Sequence, residues 1–449
     1  MAKASASNLD RAGSSWVGSV LDGAGSWALR GKVPWFLGLI ILFDSWDAVI
    51  VAYTLPSISA EWGLDALQKG WLISAGYGGQ FLGAMAFGAL AERFGRMRVF
   101  WPTMMTMSLL AIACAFAQDY PQLVALRLVQ GMVIGAGLPI ATCYVNEVAP
   151  TATRGHFYGT FQTLMASGFT LASLTSAWLI DIIGWRMLFV VGSLPLLAFP
   201  LIRLLPESPR WLAGRGRDEA AAAALRRLGS GPVPTAAERP IAREAERVPL
   251  GLLFAPSRRR RTVIVALLWL STYLVNYGLL TWIPTIFVSM FGIPIATALR
   301  FNAIVAVVAV FLPVLLRQSV DRIGRRPPVI ICTGLSGLAL LALVFIPVEQ
   351  RTLAIGAAIV GQIGISIGAL TLWYYSAEIF ETRIRSVALG AGSGIARAAS
   401  MLTPLLVGLV IARTGSVTLV FLTFGISALV ATGLWLFATE ETAGRQIDD

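Results

Sequence analysis

The sequence predicts an all-α membrane protein, with twelve transmembrane helices in two pseudo-symmetric six-helix bundles. Three observations lead there. Of 449 residues, 56% are hydrophobic and only 13% charged, with a mean hydropathy of +0.73, outside the range of soluble globular domains. Apolar runs long enough to cross a bilayer recur in two sets of six. Tyr144, Glu147, Thr151, Arg154 and Gly159 recur as Tyr375, Glu378, Thr382, Arg385 and Gly390, each pair 231 positions apart, which is the mark of an internal repeat.

Taken in order, residues 1–33 read as a cytoplasmic tail, in which Ser14 to Leu29 set Trp16, Val20, Leu21, Trp27 and Leu29 among polar residues, a pattern suited to an interfacial helix. The first bundle spans 34–205, with runs at 34–56, 70–90, 99–118, 121–145, 157–181 and 186–205. Residues 206–261 form a cytoplasmic linker, too polar to span, with an amphipathic helix expected near Asp218–Leu228. The second bundle spans 262–438, with runs at 262–290, 298–316, 328–347, 352–376, 387–412 and 416–438, and 439–449 form the closing tail. Orientation follows from the loops. Arg93, Arg96, Arg98, Arg154, the linker, Arg317, Arg322, Arg325, Arg326, Arg383 and Arg385 fall on one side; the other carries scattered residues such as Lys69, Arg186, Arg300, Arg351 and Arg413. The positive-inside rule then places both termini in the cytoplasm of a multi-pass inner-membrane protein.

The net charge of +11 therefore orients the chain toward anionic headgroups and does not signal nucleic acid. Cys114, Cys143 and Cys332 lie in apolar runs without metal-ligand spacing. His156, the only histidine, supports neither a metal site nor a catalytic triad, and no Walker A pattern occurs. No enzymatic activity, cofactor or metal is expected, and the expected unit is a monomer in the lipid bilayer.

Charge inside the spans carries the functional signal, because it is costly there. Asp44 and Asp47 stand three apart in the first span, on one helical face, with Asp44 about 15 Å in from Pro34 at roughly 1.5 Å per residue. The repeat separates frame from site. Shifting Asp44, Asp47 and Arg127 by 231 lands on Val275, Gly278 and Ala358, and shifting Arg397 back lands on Ala166, so none of these deep charges is duplicated. Glu147 and Glu378, Arg154 and Arg385 are duplicated at the rim, as scaffold would be.

Several stretches resemble the major facilitator superfamily over nearly the whole chain after about residue 30. Gly88 to Arg98, GALAERFGRMR, resembles the loop between spans two and three, with Glu92 where Asp is usual; Asp321, Arg322 and Arg325 form its counterpart, with Arg317 where the first Gly would stand. The resemblance implies a conformational latch built from Gly88, Glu92, Arg93, Gly95, Arg96, Glu147, Arg154, Asp321, Arg322, Arg325, Glu378 and Arg385, in which an acid caps a helix N-terminus and pairs with arginines. Topogenic arginines alone are the plainer reading. Arg127-Leu128-Val129-Gln130-Gly131 with Gly135 and Gly137, the Glu147–Gly155 stretch, the PESPRWL linker (Pro206 to Leu212) and Glu440-Glu441-Thr442 are similar to sugar porters and to organic-acid porters of the same plan.

Aligned on proton-coupled sugar porters, Asp47 falls on the coupling acid and Arg127 on its fourth-span partner; a permanent buried ion pair is the alternative. Asp44 is the extra acid, and Phe-Asp-x-x-Asp resembles aromatic acid/proton symporters and niacin permeases, with which Arg397 also agrees. A guanidinium there either grips a substrate carboxylate or pairs with an acid such as Asp44. The seventh span lacks the adjacent glutamines of sugar porters, and Trp46, Tyr273, Asn276, Tyr277, Trp282 and Trp373 are candidate walls for a planar cargo, or packing residues. Gln162 is the one sugar-porter-like polar group. The resemblance implies proton-coupled import of a small, aromatic or heteroaromatic carboxylate such as nicotinate, by rocking of the two halves. A sugar or polyol proton symporter and a proton-coupled exporter are the alternatives, and a transporter-like sensor is disfavoured by the short tails.

Overall fold

A computed structural model of the chain describes residues 16–23, 30–197, 205–229, 233, 249–347 and 349–441. A bilayer leaves backbone N–H and C=O groups no partner but one another, so spanning segments of this composition become helices, and no strand occurs among the described residues. A short helix α1 (Trp16–Gly23) precedes α2 (Val33–Trp62), α3 (Ala66–Phe94), α4 (Arg96–Ala115), α5 (Tyr120–Val148) and α6 (Arg154–Val191). The linker carries α7 (Pro209–Gly214) and α8 (Asp218–Leu228). The second half follows as α9 (Arg259–Phe291), α10 (Ile295–Ile323), α11 (Arg326–Ala342), α12 (Arg351–Ile379), α13 (Thr382–Thr414) and α14 (Thr418–Phe437).

Eleven of the twelve predicted runs fall largely on these helices, and the sixth, 186–205, begins on α6 and runs on into 198–204, which lie outside the described residues. The fifth run and the start of the sixth share α6, which Gly184 breaks at φ 74°, ψ 170°, a conformation open to glycine and closed to residues with a Cβ. Helix starts use local chemistry: Asp65 and Gln68 cap α3 reciprocally, and Asp119 accepts from Gln122 N–H at the head of α5. Left-handed Gly63, Gly292 and Gly415 end α2, α9 and α13. Small residues set the closest approach. Gly79 and Gly83 of α3 lie directly on the α5 backbone at Leu128 and Met132, while Gly131 and Gly135 lie on Gly76 and Gln80, leaving no room for a Cβ on either helix.

The two halves meet through α3 with α13, α6 with α10 and α2 with α9. Their cores are arranged unequally. One apolar cluster, containing Val49, Ile58, Leu188, Phe287, Ile293 and Phe421, crosses both halves at the end remote from the linker. At the linker end each half keeps a cluster of its own. The molecule is thus sealed between its halves at the far end. The N-terminal α1 is covered by protein: Trp16, Val17 and Leu21 are buried with Leu212, Ala221 and Leu225 of the linker helices.

Candidate functional site

The deep charges converge between α2, α5 and α13. Asp47 and Arg127 are almost fully buried and form an ion pair, Arg127 Nη1 to Asp47 Oδ1 at 3.3 Å. Arg127 Nη2 also donates to the Asp47 carbonyl at 3.0 Å, so one guanidinium holds side chain and backbone of the same residue. Gln130, one helical turn on from Arg127, completes the set. Its Oε1 accepts from Arg127 Nη1 at 2.6 Å and its Nε2 donates to Asp47 Oδ2. Burying a charge pair is tolerable only when remaining lone pairs and protons find partners, which Gln130 provides. Arg127 further stands 5.7 Å from the Phe189 ring centroid.

Asp44 and Arg397 are held differently. Asp44 is 5% exposed, and its Oδ1 has no hydrogen-bond partner. The charges acting on it are Asp47 and Arg397. Among the described residues no hydrogen bond or ion pair engages the Arg397 guanidinium, which also acts electrostatically on Tyr277. An acid and a guanidinium therefore face each other across the halves beyond ion-pair distance, each with unused bonding capacity.

A file of rings lies beside them. Trp269 stacks on Tyr273 (centroids 5.1 Å, interplanar 7°), Trp373 meets Trp269 edge-on at 5.0 Å, and Tyr277 joins Tyr273 at 5.9 Å and Tyr77 of the first half at 5.4 Å. Trp373 Nε1 donates to the Tyr273 hydroxyl at 2.8 Å, and Asn276 Nδ2 donates to Ser366 Oγ at 3.3 Å. Trp373 remains 42% exposed. Trp46 and Trp282 lie apart from this file, fully buried in the apolar core with each indole N–H unpartnered. Gln162 is half-buried, and its Oε1 has no partner.

At the linker end, Arg96 pairs with Glu147 at 3.1 Å and Arg325 with Glu378 at 2.8 Å, as the repeat requires. The capping acid is not Glu92, which is exposed and is used through its carbonyl, an acceptor for Trp211 Nε1 and Arg215. Instead Glu207 accepts from the backbone N–H groups of Arg96, Met97 and Arg98 at the head of α4. Glu441 accepts from those of Arg325 and Arg326 at the head of α11. Arg93 is exposed beside Phe94, no atom approaches the Cβ position of Gly88, Gly95 adopts φ 114° against Glu207, and Arg154 Nε is unpartnered. The side chains of Asp321 and Arg322 lie outside the described residues.

Gln130, Trp269, Tyr77, Glu207 and Glu441 are the residues that sequence reasoning missed. For Gln130 a signal existed, since the i, i+3 spacing puts it on the face of Arg127.

Helical bundles that meet face to face, with charges buried inside their apolar spans, are the architecture of a membrane transporter. The chain belongs to the sugar (and other) transporter family of the major facilitator superfamily, whose model matches residues 38–449. It is 28% identical over 424 residues to the niacin transporter NiaP of Acinetobacter baylyi, covering 92% of this chain and 94% of that one. It is 31% identical over 404 residues to the gallate transporter of Pseudomonas putida, covering 88% of each. Among solved structures a D-xylose-proton symporter superposes with a TM-score of 0.75 at 20% identity, over 93% of this chain and 100% of that one, a likeness of fold. The protein is accordingly a multi-pass membrane transporter of small molecules and not an enzyme.

Proposed function

We propose that the protein is a proton-coupled importer of a small aromatic or heteroaromatic carboxylate. The observation that carries this reading is the unengaged Arg397 guanidinium at mid-depth, facing Asp44 and flanked by the Tyr277 ring file. A guanidinium offers a carboxylate two parallel hydrogen bonds, and flat rings suit a planar cargo. The relatives named for niacin and gallate support the same class. A hexose would call for a ring of hydrogen-bonding side chains, of which Gln162 is a single candidate.

Asp47 is the coupling acid in this reading. With Arg127 and Gln130 in place it is held ionised; when the halves rock and the pair opens, a carboxylate left in a dry site takes up a proton. Asp44 shares the charge and is the second titrating group. Glu147 with Arg96 and Glu378 with Arg325 serve as latches that favour one of the two alternating states. The division into bundles at 34–205 and 262–438, cytoplasmic termini, an inner-membrane location and a monomeric unit belong to the same proposal.

Uptake into proteoliposomes under an imposed pH gradient tests it, with benzoate, nicotinate, gallate and xylose as the panel. The aromatic acids are expected to accumulate, and xylose is not. Accumulation of xylose but of no acid overturns the carboxylate assignment, and accumulation indifferent to the gradient overturns the coupling. Arg397→Ala is expected to raise the apparent substrate constant at least tenfold, the scale of a lost charge-assisted hydrogen bond. An unchanged constant removes Arg397 from the site.

A further inference from the structure

Adjoining the central site through Ser366 Oγ, which accepts from both Asn276 and Gln362, lies a second group of buried polar side chains with unused bonding capacity. Asn302 of α10 and Gln362 of α12 are 7% and 5% exposed and line one cavity between apolar walls formed by Ile283, Phe287, Phe301 and Val305. Asn302 Nδ2 has no acceptor and Gln362 Oε1 has no donor. The Gln362 amide is fixed: its Nε2 donates to Ser366 Oγ at 3.2 Å, and that serine donates back to the Gln362 carbonyl at 2.7 Å. Its free oxygen therefore has a set direction. Across the seam, the fully buried Tyr53 hydroxyl of the first half stands beside both Ser173 and Asn302 and acts on each, although none of the three reaches full hydrogen-bond geometry.

An orphaned buried polar group costs roughly 1–3 kcal/mol, and the Gln362 oxygen and, once Tyr53 lifts away, the Asn302 amide are the two groups of this cavity that an occupant would satisfy. With the halves together the cavity is about 10 Å³, the space of one water. Asn302, Gln362 and the phenylalanines all belong to the second half and keep their relation when the halves part. Tyr53 and Ser173 belong to the first and lift away as a lid. What remains is one donor and one acceptor between aromatic walls. That pattern complements a group with one acceptor and one donor of its own, a carboxamide or an un-ionised carboxylic acid, and it offers no cation for a carboxylate.

We infer that Asn302 and Gln362 form an outer waiting site for the neutral carboxamide or carboxylic acid group of a planar aromatic compound, separate from Arg397. The inference rests on the aromatic-acid reading above. It gives the cargo two stations: neutral at the outer one, ionised at the inner one.

Equilibrium binding of radiolabelled benzamide and, separately, benzoate to the purified full-length protein in nanodiscs tests it. Benzamide is expected to bind saturably, about fivefold or more weakly in Asn302→Leu and in Gln362→Met, the scale of one buried neutral hydrogen bond. Arg397→Ala is expected to leave benzamide binding unchanged. Benzoate is expected to show the reverse pattern, weakened by Arg397→Ala and kept by the two outer variants, which also shows that those variants are folded. Absence of saturable benzamide binding, affinity unmoved by both outer substitutions, or loss of benzamide with Arg397→Ala overturns the outer site. Absence of benzoate binding in the parent protein overturns the carboxylate reading and leaves the benzamide result to stand or fall separately.

Discussion

At the scale of single residues, what distinguishes the charges is the completeness of their bonding. Asp47, Arg127 and Gln130 close a small network in which both Asp47 oxygens and two of the three Arg127 nitrogens are engaged. Gln130→Leu removes one partner from each side of the pair, and bonds to charged groups carry about 1.5–3 kcal/mol. The midpoint of thermal unfolding in detergent is expected to fall, and an unchanged midpoint would show that Gln130 is a bystander. Asp47→Asn keeps the shape and removes the titrating group. It is expected to abolish gradient-driven accumulation while counterflow exchange continues; accumulation at the parental level would reassign the coupling. The pairing of Asp47 with Arg127 was legible through the resemblance to proton-coupled sugar porters, since burial obliges a charge to find some partner without choosing between Arg127 and Arg397. Trp46 and Trp282 were not separable from Tyr273 and Tyr277, since helix rotation decides which indole faces the core, and rotation is a tertiary property.

At the scale of elements, spans and repeat were legible because hydropathy and length decide them, whereas the caps were not. Glu207 stands more than a hundred positions from the N–H groups it receives, and only folding brings it there. The expectation for Ser14 to Leu29 was a helix along the membrane interface; within it, α1 has its apolar face covered by the linker helices. Two polar contacts fix it: Trp16 Nε1 donates to Asp218 Oδ1 at 3.1 Å, and Asp22 accepts from Thr151 N–H at 2.7 Å and Thr151 Oγ1 at 2.9 Å. The Thr151 N–H is the main reason the Asp22 carboxyl is held below its usual range. A carboxylate depressed on docking stabilises the docked state above its undocked value and loses that contribution as pH falls through the docked one. Docking of α1 is thus expected to be pH-independent near neutrality and to weaken below about pH 4, where free Asp protonates. In Asp22→Asn the amide hydrogens of 16–23 are expected to exchange several-fold faster than in the parent at pH 7. Equal exchange would mean that apolar burial alone seats the helix.

At the scale of the whole molecule, the shared far-end core and separate linker-end cores describe one of two states, and the seam that closes it is narrow. Gly70 of α3 and Gly408 of α13, from opposite halves, touch backbone to backbone. A Cβ on Gly408 would stand 2.5 Å from the Ala66 carbonyl oxygen and 3.1 Å from Gly70 Cα, and one on Gly70 would stand 2.7 Å from the Pro404 carbonyl oxygen. At the other interface, between α6 and α10, Thr170 Oγ1 donates to the Ala306 carbonyl at 2.9 Å, and the Arg300 guanidinium lies 5.1 Å from the Trp178 ring centroid, both again across the halves. Gly408→Leu strains only the closed state, because α3 and α13 separate there when the halves rock. Overpacking of a tight contact costs about 1–3 kcal/mol, equivalent to a shift of roughly 5- to 150-fold in the equilibrium between states. Full inversion from 1:99 to 99:1 would take about 5.5 kcal/mol, so the variant is expected to be biased and not locked. A reporter cysteine, Ser173→Cys, placed in a background lacking Cys114, Cys143 and Cys332, reads the bias. It is expected to react with a membrane-impermeant maleimide from the side opposite the linker at least fivefold faster when Gly408→Leu is present. Reactivity unchanged by Gly408→Leu would mean that the far-end seal does not depend on this glycine contact and rests on the contacts between α6 and α10, Thr170 with Ala306 and Arg300 with Trp178.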